Sequence, residues 1–172
     1  MPISLQPTLS DNLVSLRPLK VADFEELFAA AADPLVWNQH PNPERYKREV
    51  FEVFFQGAID SKGALLIQDT KTGAVIGSSR FYDYNPLDKS ILIGYTFYAK
   101  AYWGQGYNAA AKKLMLNHIF NFVDKVFFHV GAENYRSQRA MEKLGALKVR
   151  EIAVTYHGES IKPNFEYKLT KP

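Results

Sequence analysis

A glycine-rich turn between a strand and a helix is the feature that most constrains this chain. The apolar segment Ser90–Tyr98 predicts a strand, and Gly106–Phe122 carries apolar residues at helical spacing. Between them, Gly104 and Gly106 let backbone N–H groups crowd together and point outward. The first turn of the helix adds unpaired N–H groups and the positive end of its dipole. The segment Tyr98–Ala111 therefore predicts a site for an anion such as a pyrophosphate.

The rest of the chain predicts a mixed sheet with helices on both faces. Further strands are predicted at Leu13–Leu19, Ala64–Gln68, Ala74–Tyr84, Lys125–Val130, Leu147–Tyr156 and Asn164–Leu169. Further helices are predicted at Val21–Ala32, Glu44–Ile59 and Asn134–Leu144. Pro18 indicates a strand end or an edge, and the isolated Gly94 inside its strand indicates a bulge. With neither a linker nor a repeat, residues 1–172 predict a single domain.

Composition narrows the class of protein. The 172 residues are 47% hydrophobic and 23% charged, as in soluble globular proteins. The net charge of +3 is spread out and has no basic tail, so we expect no nucleic-acid partner. Without cysteine, the chain forms neither disulfides nor thiolate metal sites, and we predict no metal. The first residues lack a signal-peptide pattern and no apolar run spans a bilayer, so we expect a cytoplasmic protein that does not enter membranes.

Two other interpretations of the glycine-rich turn stay open. Gly104–Ala109 also fits the dinucleotide fingerprint G-x-G-x-x-A, and Glu133 closes the next strand where a ribose-binding acid can sit. Against this, Ala99–Trp103 separates the strand from the glycines, and only about 65 residues follow Gly106, too few for a doubly wound sheet. The other interpretation is a tight turn that binds nothing.

Three motifs in order give the chain a resemblance to a known family. They are Ile93-Gly94-Tyr95, then Tyr102-Trp103-Gly104-Gln105-Gly106-Tyr107, then the segment from Glu133-Asn134-Tyr135-Arg136 to Leu144-Gly145-Ala146. The sequence resembles the GNAT acetyltransferase superfamily, and within it the ribosomal-protein N-terminal acetyltransferases, over nearly the whole chain from Leu13. The resemblance implies an α/β fold with a splayed, mostly antiparallel seven-stranded sheet and about four helices. It also implies acetyl-CoA as cofactor and an amine as acceptor.

The resemblance implies where the cofactor lies. The strand around Gly94–Tyr98 is expected to splay away from Val126–Val130, so that pantetheine bonds to strand backbone in the gap. The pyrophosphate is expected on Gln105–Asn108. One family position departs, because Ala101 stands where Gln or Arg is frequent. The implied cofactor-binding residues are Phe97, Tyr98, Trp103, Gly104, Gln105, Gly106, Tyr107, Asn108, Asn134 and Ser137. Asn134 also suits a plain helix N-cap.

The catalytic groups are less familiar. Leu92 and Met141 stand where many family members have a Glu base and a Tyr acid. His129 is the first candidate for a replacement base, because a pKa near ~6.5 suits proton transfer at neutral pH. The alternative is a structural histidine. Glu133 and Tyr82 are further candidates, with a solvated carboxylate and a packing residue as their alternatives.

The acceptor is not readable beyond its class. The loop Trp37–Pro43, the second helix and the last hairpin, at Tyr156 and His157, are expected to border its site. Trp37, Tyr84 and Tyr156 are the predicted contacts, and packing in the core is the alternative for Trp37. A protein or peptide N-terminus and a small amine both fit, as does a homodimer, which is frequent in the superfamily. The loss of the usual groups at Leu92 and Met141 also suits an acyl-CoA-binding sensor with little turnover.

Overall fold

Alternating strands build one sheet in the computed structural model, which describes residues 2–156 and 158–172. The strands are β1 (Leu9–Ser10), β2 (Val14–Pro18), β3 (Ala64–Asp69), β4 (Val75–Asn85), β5 (Ser90–Tyr98), β6 (Lys125–Gly131), β7 (Leu147–Thr155) and β8 (Ile161–Thr170). They lie in the order β1-β2-β3-β4-β5-β6-β8-β7. Among the described residues, β5 and β6 are the one parallel pair. The predicted mixed, mostly antiparallel sheet is confirmed.

Helices cover both faces of the sheet. They are α1 (Phe24–Ala31), α2 (Pro34–Trp37), α3 (Arg48–Ser61), α4 (Tyr107–Ile119) and α5 (Tyr135–Leu144). One apolar core contains Met115 of α4 and Met141 of α5 with Phe128 of β6. A second contains Leu27 of α1 and Phe51 of α3. Two cores on one sheet match the predicted layers. Within the described residues, no helix has both the length and the apolar character needed to cross a membrane.

Besides 3₁₀ turns at Val21–Asp23 and Lys100–Tyr102, the described residues add two short elements to the predicted seven strands and four helices. They are β1 and α2, of two and four residues, too short to give a periodic pattern. Asp33 and Pro34 end α1 as predicted, but Pro34 also begins α2, because its fixed φ suits a first helical turn. The Asp33 carboxylate accepts a hydrogen bond from the backbone N–H of Leu35 at 2.9 Å and caps this turn.

All four predicted helices are longer than the observed ones. The helix predicted at Val21–Ala32 begins at Phe24, after a separate 3₁₀ turn at Val21–Asp23, and the helix predicted at Asn134–Leu144 begins one residue later because Asn134 is its cap. The helix predicted at Glu44–Ile59 begins instead at Arg48, because the four residues before it form a separate turn that buries Arg45. The helix predicted at Gly106–Phe122 ends at Ile119. After it, the backbone N–H groups of Asn121 and Phe122 donate to carbonyl oxygens three residues back instead of four. Sequence periodicity continues through both turns, so it does not mark these boundaries.

The last strand is longer than predicted, because it runs through a proline. The prediction began it at Asn164, but β8 begins at Ile161 and contains Pro163. β8 pairs with β6 only from Asn164 onward, opposite Gly131. Pro163 thus lies beyond that ladder, where its missing N–H removes no hydrogen bond to β6.

Candidate active site

A cleft opens where β5 and β6 separate. Their parallel pairing ends at Leu92 and Phe127. Beyond these residues β5 stays paired with β4 up to Tyr98, and β6 stays paired with β8 up to Gly131. The facing edges of β5 and β6 therefore present backbone groups outside any strand ladder. They border a cleft of about 590 Å³, within the range of small-molecule sites. The predicted splay is confirmed.

A β-bulge bends β5 where the cleft opens. Gly94 pairs with Arg80, and the next pair joins Phe97 to Ser78, so two residues of β5 lie opposite one residue of β4. One of the two is Tyr95, whose φ of 53° lies in the left-handed region. A bulge of this kind bends a strand and interrupts its ladder. The bulge predicted from Gly94 is confirmed.

The glycine-rich turn leaves the N-terminus of α4 without a side-chain cap. Gly104 and Gly106 have φ values of 69° and 87°, in the region that favours glycine. Gly106 is the N-cap residue and has no side chain to accept the first helical N–H groups. The Trp103 indole N–H holds the turn by donating to the carbonyl oxygen of Tyr98 at 2.9 Å. The open, positive end of α4 thus borders the cleft.

The predicted cofactor-binding residues gather at this cleft, with one exception. Those that border it are Phe97, Tyr98, Trp103, Gly104, Gly106, Tyr107, Asn108, Asn134 and Ser137. Gln105 is exposed, and its side-chain amide donates instead to the carbonyl oxygen of Ala101 at 2.7 Å. Its side chain thus stabilises the turn and does not line the cleft.

The N-terminus of α5 forms the opposite wall. Asn134 is only 4% exposed, and its Oδ1 accepts a hydrogen bond from the backbone N–H of Ser137 at 3.4 Å. The predicted N-cap is confirmed. The next residue in this wall, Arg136, lies with its guanidinium carbon 4.1 Å from the centre of the Trp103 ring. It also donates to the carbonyl oxygen of Val36 at 3.2 Å, so it ties α5 to both α2 and the glycine-rich turn.

A buried lysine forms part of the cleft beside α4. Lys112 is 3% exposed and borders the cleft. Its Nζ donates to Thr96 Oγ1 at 3.1 Å and to Asn108 Oδ1 at 3.3 Å. Burial lowers the pKa of Lys112 to about 7, because an ammonium loses its hydration there. The cleft therefore holds an amine that loses its proton at a lower pH than a solvated lysine does.

The end of the cleft on the α3 side is aromatic and closed by an ion pair. Arg45 is 3% exposed and forms two 2.9 Å hydrogen bonds to the Glu159 carboxylate, which joins the residues before α3 to the β7–β8 turn. Its guanidinium carbon lies 5.6 Å from the centre of the Tyr156 ring, and Tyr156 packs edge-on against Tyr95 at 5.3 Å. Burial, with two nearby arginines, lowers the pKa of His40 to about 3, so this lining residue is neutral.

His129 lies on β6 beside the cleft and is held by a carboxylate. Its Nε2 lies 2.8 Å from Glu166 Oε2, across the β6–β8 ladder. Arg150 Nε donates to the other oxygen of Glu166 at 2.9 Å. Burial alone would raise the pKa of Glu166, but the hydrogen bonds from Arg150 and His129 outweigh it and lower that pKa. Glu166 is therefore ionised at neutral pH, and it accepts a hydrogen bond from the N–H at Nε2 of His129.

Several predicted residues lie elsewhere. Glu133 is exposed and does not line the cleft, as its alternative of a solvated carboxylate anticipated. Tyr82 does not line it either, but its ring packs on Tyr95 at 5.1 Å, and its hydroxyl oxygen lies 3.1 Å from where a Cβ on Gly94 would be. Burial raises the pKa of Tyr82, so its hydroxyl stays protonated at neutral pH.

The three predicted acceptor contacts divide. Tyr156 borders the cleft and donates its hydroxyl to Asn164 Oδ1 at 2.7 Å. Tyr84 is 37% exposed near the β4–β5 turn, away from the cleft lining. Trp37 is a core residue with 1% exposure, and its indole N–H donates to the carbonyl oxygen of Ala31, so it is not available to an acceptor. His157, named with Tyr156, lies outside the described residues.

Three of the charged residues described above were not predicted as site residues: Arg45, Lys112 and Arg136. Lys112 had a signal, because it follows Asn108 by four residues and precedes Met115 by three, which places it on the inner face of its helix. The two arginines lie in a loop and at a helix end, where periodicity indicates nothing about burial. His40 lines the cleft from the loop Trp37–Pro43, which was predicted to border the acceptor site.

Sequence comparison identifies the family. No curated protein matches the chain. The family model of the acetyltransferase (GNAT) domain matches residues 14–147. The chain belongs to the GNAT acetyltransferase family. The matched part of this GNAT protein includes the bulged strand, the glycine-rich turn and both walls of the cleft.

Solved structures share the fold of this GNAT protein at low sequence identity. A GCN5-related N-acetyltransferase from Brucella melitensis is 19% identical with a TM-score of 0.80, over 96% of this chain and 79% of that one. RimJ from Mycobacterium smegmatis, in complex with CoA-disulfide, is 16% identical with a TM-score of 0.73, over 96% and 86%. A Vibrio cholerae protein described as a ribosomal-protein-serine acetyltransferase is 15% identical with a TM-score of 0.76, over 98% and 100%.

Proposed function

We propose that this protein is an N-acetyltransferase that uses acetyl-CoA to acetylate a primary amine. One observation carries the proposal: the cleft between β5 and β6 leads to the uncapped N-terminus of α4. Such a site offers strand-edge backbone to an extended amide-containing chain and helical N–H groups to a phosphate. CoA has both parts in this order, because a pantetheine arm with amide groups connects its thiol to a pyrophosphate. A nicotinamide dinucleotide fits less well, because the sheet is not doubly wound.

The residues of the cleft fit this cofactor. The backbone of Phe97 and Tyr98 would hold the pantetheine amides, and the N–H groups of Gly106–Asn108 would hold the pyrophosphate. Asn134 and Ser137 would border the pantetheine from the opposite wall. Acetyl-CoA supplies the activated acetyl group, which passes directly to the amine in a ternary complex while CoA leaves as the thiol.

His129 is the proposed general base. Because Nε2 faces the ionised Glu166, the imidazole carries its proton there and has Nδ1 as the proton acceptor. A carboxylate that holds one ring nitrogen orients the imidazole and stabilises its charged form, as in other catalytic histidines. Tyr82, protonated and packed against Tyr95 beside the bulge, is proposed to orient the amine rather than to deprotonate it. Glu133 is not carried forward, since it lies outside the cleft.

The acceptor is proposed to enter from the aromatic end of the cleft. Tyr156 and Tyr95 present ring surface there, and the Arg45–Glu159 pair limits its width. A protein or peptide N-terminus is the preferred acceptor, in line with the names of the M. smegmatis and V. cholerae structures, and a small amine is the second. We also propose a single cytoplasmic domain, with a homodimer as its assembly.

A sensor that binds acyl-CoA with little turnover is the alternative. It is favoured by Leu92 and Met141, which are apolar at positions where family members often carry ionisable groups. Met141 is 5% exposed in the core beside the cleft and offers no proton. Both functions need the same cofactor site, so they differ only in turnover.

Thiol release distinguishes the two functions. We would incubate the protein with acetyl-CoA and either peptides with free N-termini, the same peptides with blocked N-termini, or small amines. Thiol release with free N-termini and not with blocked ones is the expected result. His129→Gln should lower kcat about 10²–10⁴-fold while acetyl-CoA still binds. His118→Gln, a control outside the cleft lining, should leave kcat nearly unchanged. Binding of acetyl-CoA without release of the CoA thiol in the presence of any of these acceptors would favour the sensor.

A further inference from the structure

Lys112 is the one cleft-lining ammonium of the described residues that is buried and faces only neutral hydrogen-bond partners. Thr96 Oγ1 and Asn108 Oδ1 accept hydrogen bonds from its Nζ. Thr96 is in turn bonded to Ser79, with 2.8 Å between the hydroxyl oxygens. No ion pair to Lys112 occurs among residues 2–156 and 158–172. A buried charge without a counter-ion is costly, so its presence calls for a reason.

The groups around Lys112 do not supply a counter-ion. From β5, Tyr98 presents a buried neutral hydroxyl, and its pKa is raised by burial. At the N-terminus of α4, Asp69 of β3 lies beside Tyr107. Burial, together with this carboxylate, raises the pKa of Tyr107. Across the cleft, the charged residues that α5 contributes to the lining are all cations, Arg136, Arg139 and Lys143. The neighbouring strand β6 contributes His129, which is itself paired with Glu166. Burial is the one cause of the lowered pKa of Lys112.

The position of Lys112 points to the missing partner. Side chains on a helix lean toward its N-terminus, and Nζ of Lys112 reaches back to Asn108, in the first turn of α4. That turn carries the uncapped N–H groups proposed to hold the pyrophosphate. The amine of Lys112 is therefore linked to this turn through Asn108 and to the bulged strand through Thr96.

We propose that Lys112 is the internal counter-charge for the anionic part of CoA, and that its amine takes up a proton when CoA binds. This inference rests on the proposed function, because it needs an acyl-CoA in the cleft. An anion near a buried amine favours the charged form of that amine. At pH 8 the free protein holds Lys112 mostly neutral and the complex holds it charged, so binding draws a proton from solution. CoA affinity then falls as the pH rises above about 7.

Proton uptake is measured by calorimetric titration of CoA into the protein at pH 8, in HEPES and in Tris, since a phosphate buffer would compete for the proposed site. The binding heats in the two buffers differ by the number of protons taken up multiplied by the difference between the buffers' ionisation enthalpies. We expect roughly 0.5–1 proton per CoA for the native protein. Lys112→Met should lose most of this uptake and bind CoA about 10–100-fold more weakly. Lys113→Met, the exposed neighbour, is the matched control and should behave like the native protein. If Lys112→Met does not fold, Lys112→Gln replaces it, with the same expectation.

The outcomes separate this inference from the proposed function. If the native protein binds CoA but the Lys112 variants show equal proton uptake and affinity, the counter-charge is refuted and the cofactor site stands. If the native protein does not bind CoA, both proposals fail. If uptake disappears in the Lys112 variants and persists in Lys113→Met, the inference is supported independently of turnover.

Discussion

Replacing Lys112 by methionine tests the energetic cost of the buried ammonium before any ligand is added. Methionine has a similar length and is apolar, so it fills the same space between α4 and β5. The substitution removes the hydrogen bonds to Thr96 and Asn108, at about 1 kcal/mol each. Thr96 keeps its bond to Ser79, and Asn108 is partly exposed to water, so neither is left without any partner.

The pH dependence of the free energy of unfolding measures the cost of burying the Lys112 ammonium. The pKa of Lys112 falls from 10.5 in a solvated chain to about 7 in the folded protein. Between these values the unfolded chain holds more protons than the native one, so the stability of the native protein rises with pH. At about 1.4 kcal/mol per pH unit, this rise is roughly 3 kcal/mol from pH 6 to 9.5 and roughly 5 kcal/mol over the whole shift. Methionine does not titrate and lacks the rise.

Urea unfolding at pH 6 and at pH 9.5 measures the effect. We expect Lys112→Met to be more stable than the native protein at pH 6, by about 2–3 kcal/mol, and to lose this advantage at pH 9.5. Lys113→Met should show no such pH-dependent difference, because its side chain is exposed in both states. An equal difference between native protein and Lys112→Met at both pH values would show that Lys112 is not a neutral buried amine, and would refute this reasoning.

Three further predictions concern stability and are checked by urea unfolding. Arg45→Met should cost about 3–5 kcal/mol, because it leaves the Glu159 carboxylate buried, and adding Glu159→Gln should recover part of the loss; a purely additive double variant would contradict this. Gly145→Ala should cost about 1–2 kcal/mol, because its φ of 85° is strained for any residue with a Cβ. No atom lies within 4 Å of the new Cβ, so the cost contains no steric clash, and no loss of stability would show that the turn relaxes. Tyr156→Phe should cost about 1–3 kcal/mol, because Asn164 loses a buried 2.7 Å hydrogen bond; an unchanged midpoint would mean that water replaces it.

Local features of the site were predictable from sequence. Gly94 predicted a bulge because a glycine weakens a strand interior, and Asn134 predicted a helix cap because its side chain can bond the next turn. Gly104 and Gly106 predicted the tight turn that begins α4 for the same kind of reason, since their backbone conformation depends on their own missing side chains. Each of these signals is contained within a few residues.

Pairings between distant residues were not predictable. Arg45 meets Glu159 across 114 positions, and His129 meets Glu166 across 37. Both pairs depend on strand register and on how loops fold back, which a single sequence does not specify. Trp37 was predicted to contact the acceptor, but its loop forms a short helix that turns the indole into the core. The contact with Glu166 that orients the His129 imidazole is therefore visible only in the folded protein.

The most direct test of the central claim is the melting temperature of the protein with saturating acetyl-CoA, compared with NAD. A ligand at about 100 times its Kd stabilises the native state by about 2.7 kcal/mol. For a domain of this size, that is a rise of about 5–10 °C. We predict this rise with acetyl-CoA and no rise with NAD. A rise with NAD alone, or with neither ligand, would contradict the assignment of the β5–β6 cleft to acetyl-CoA.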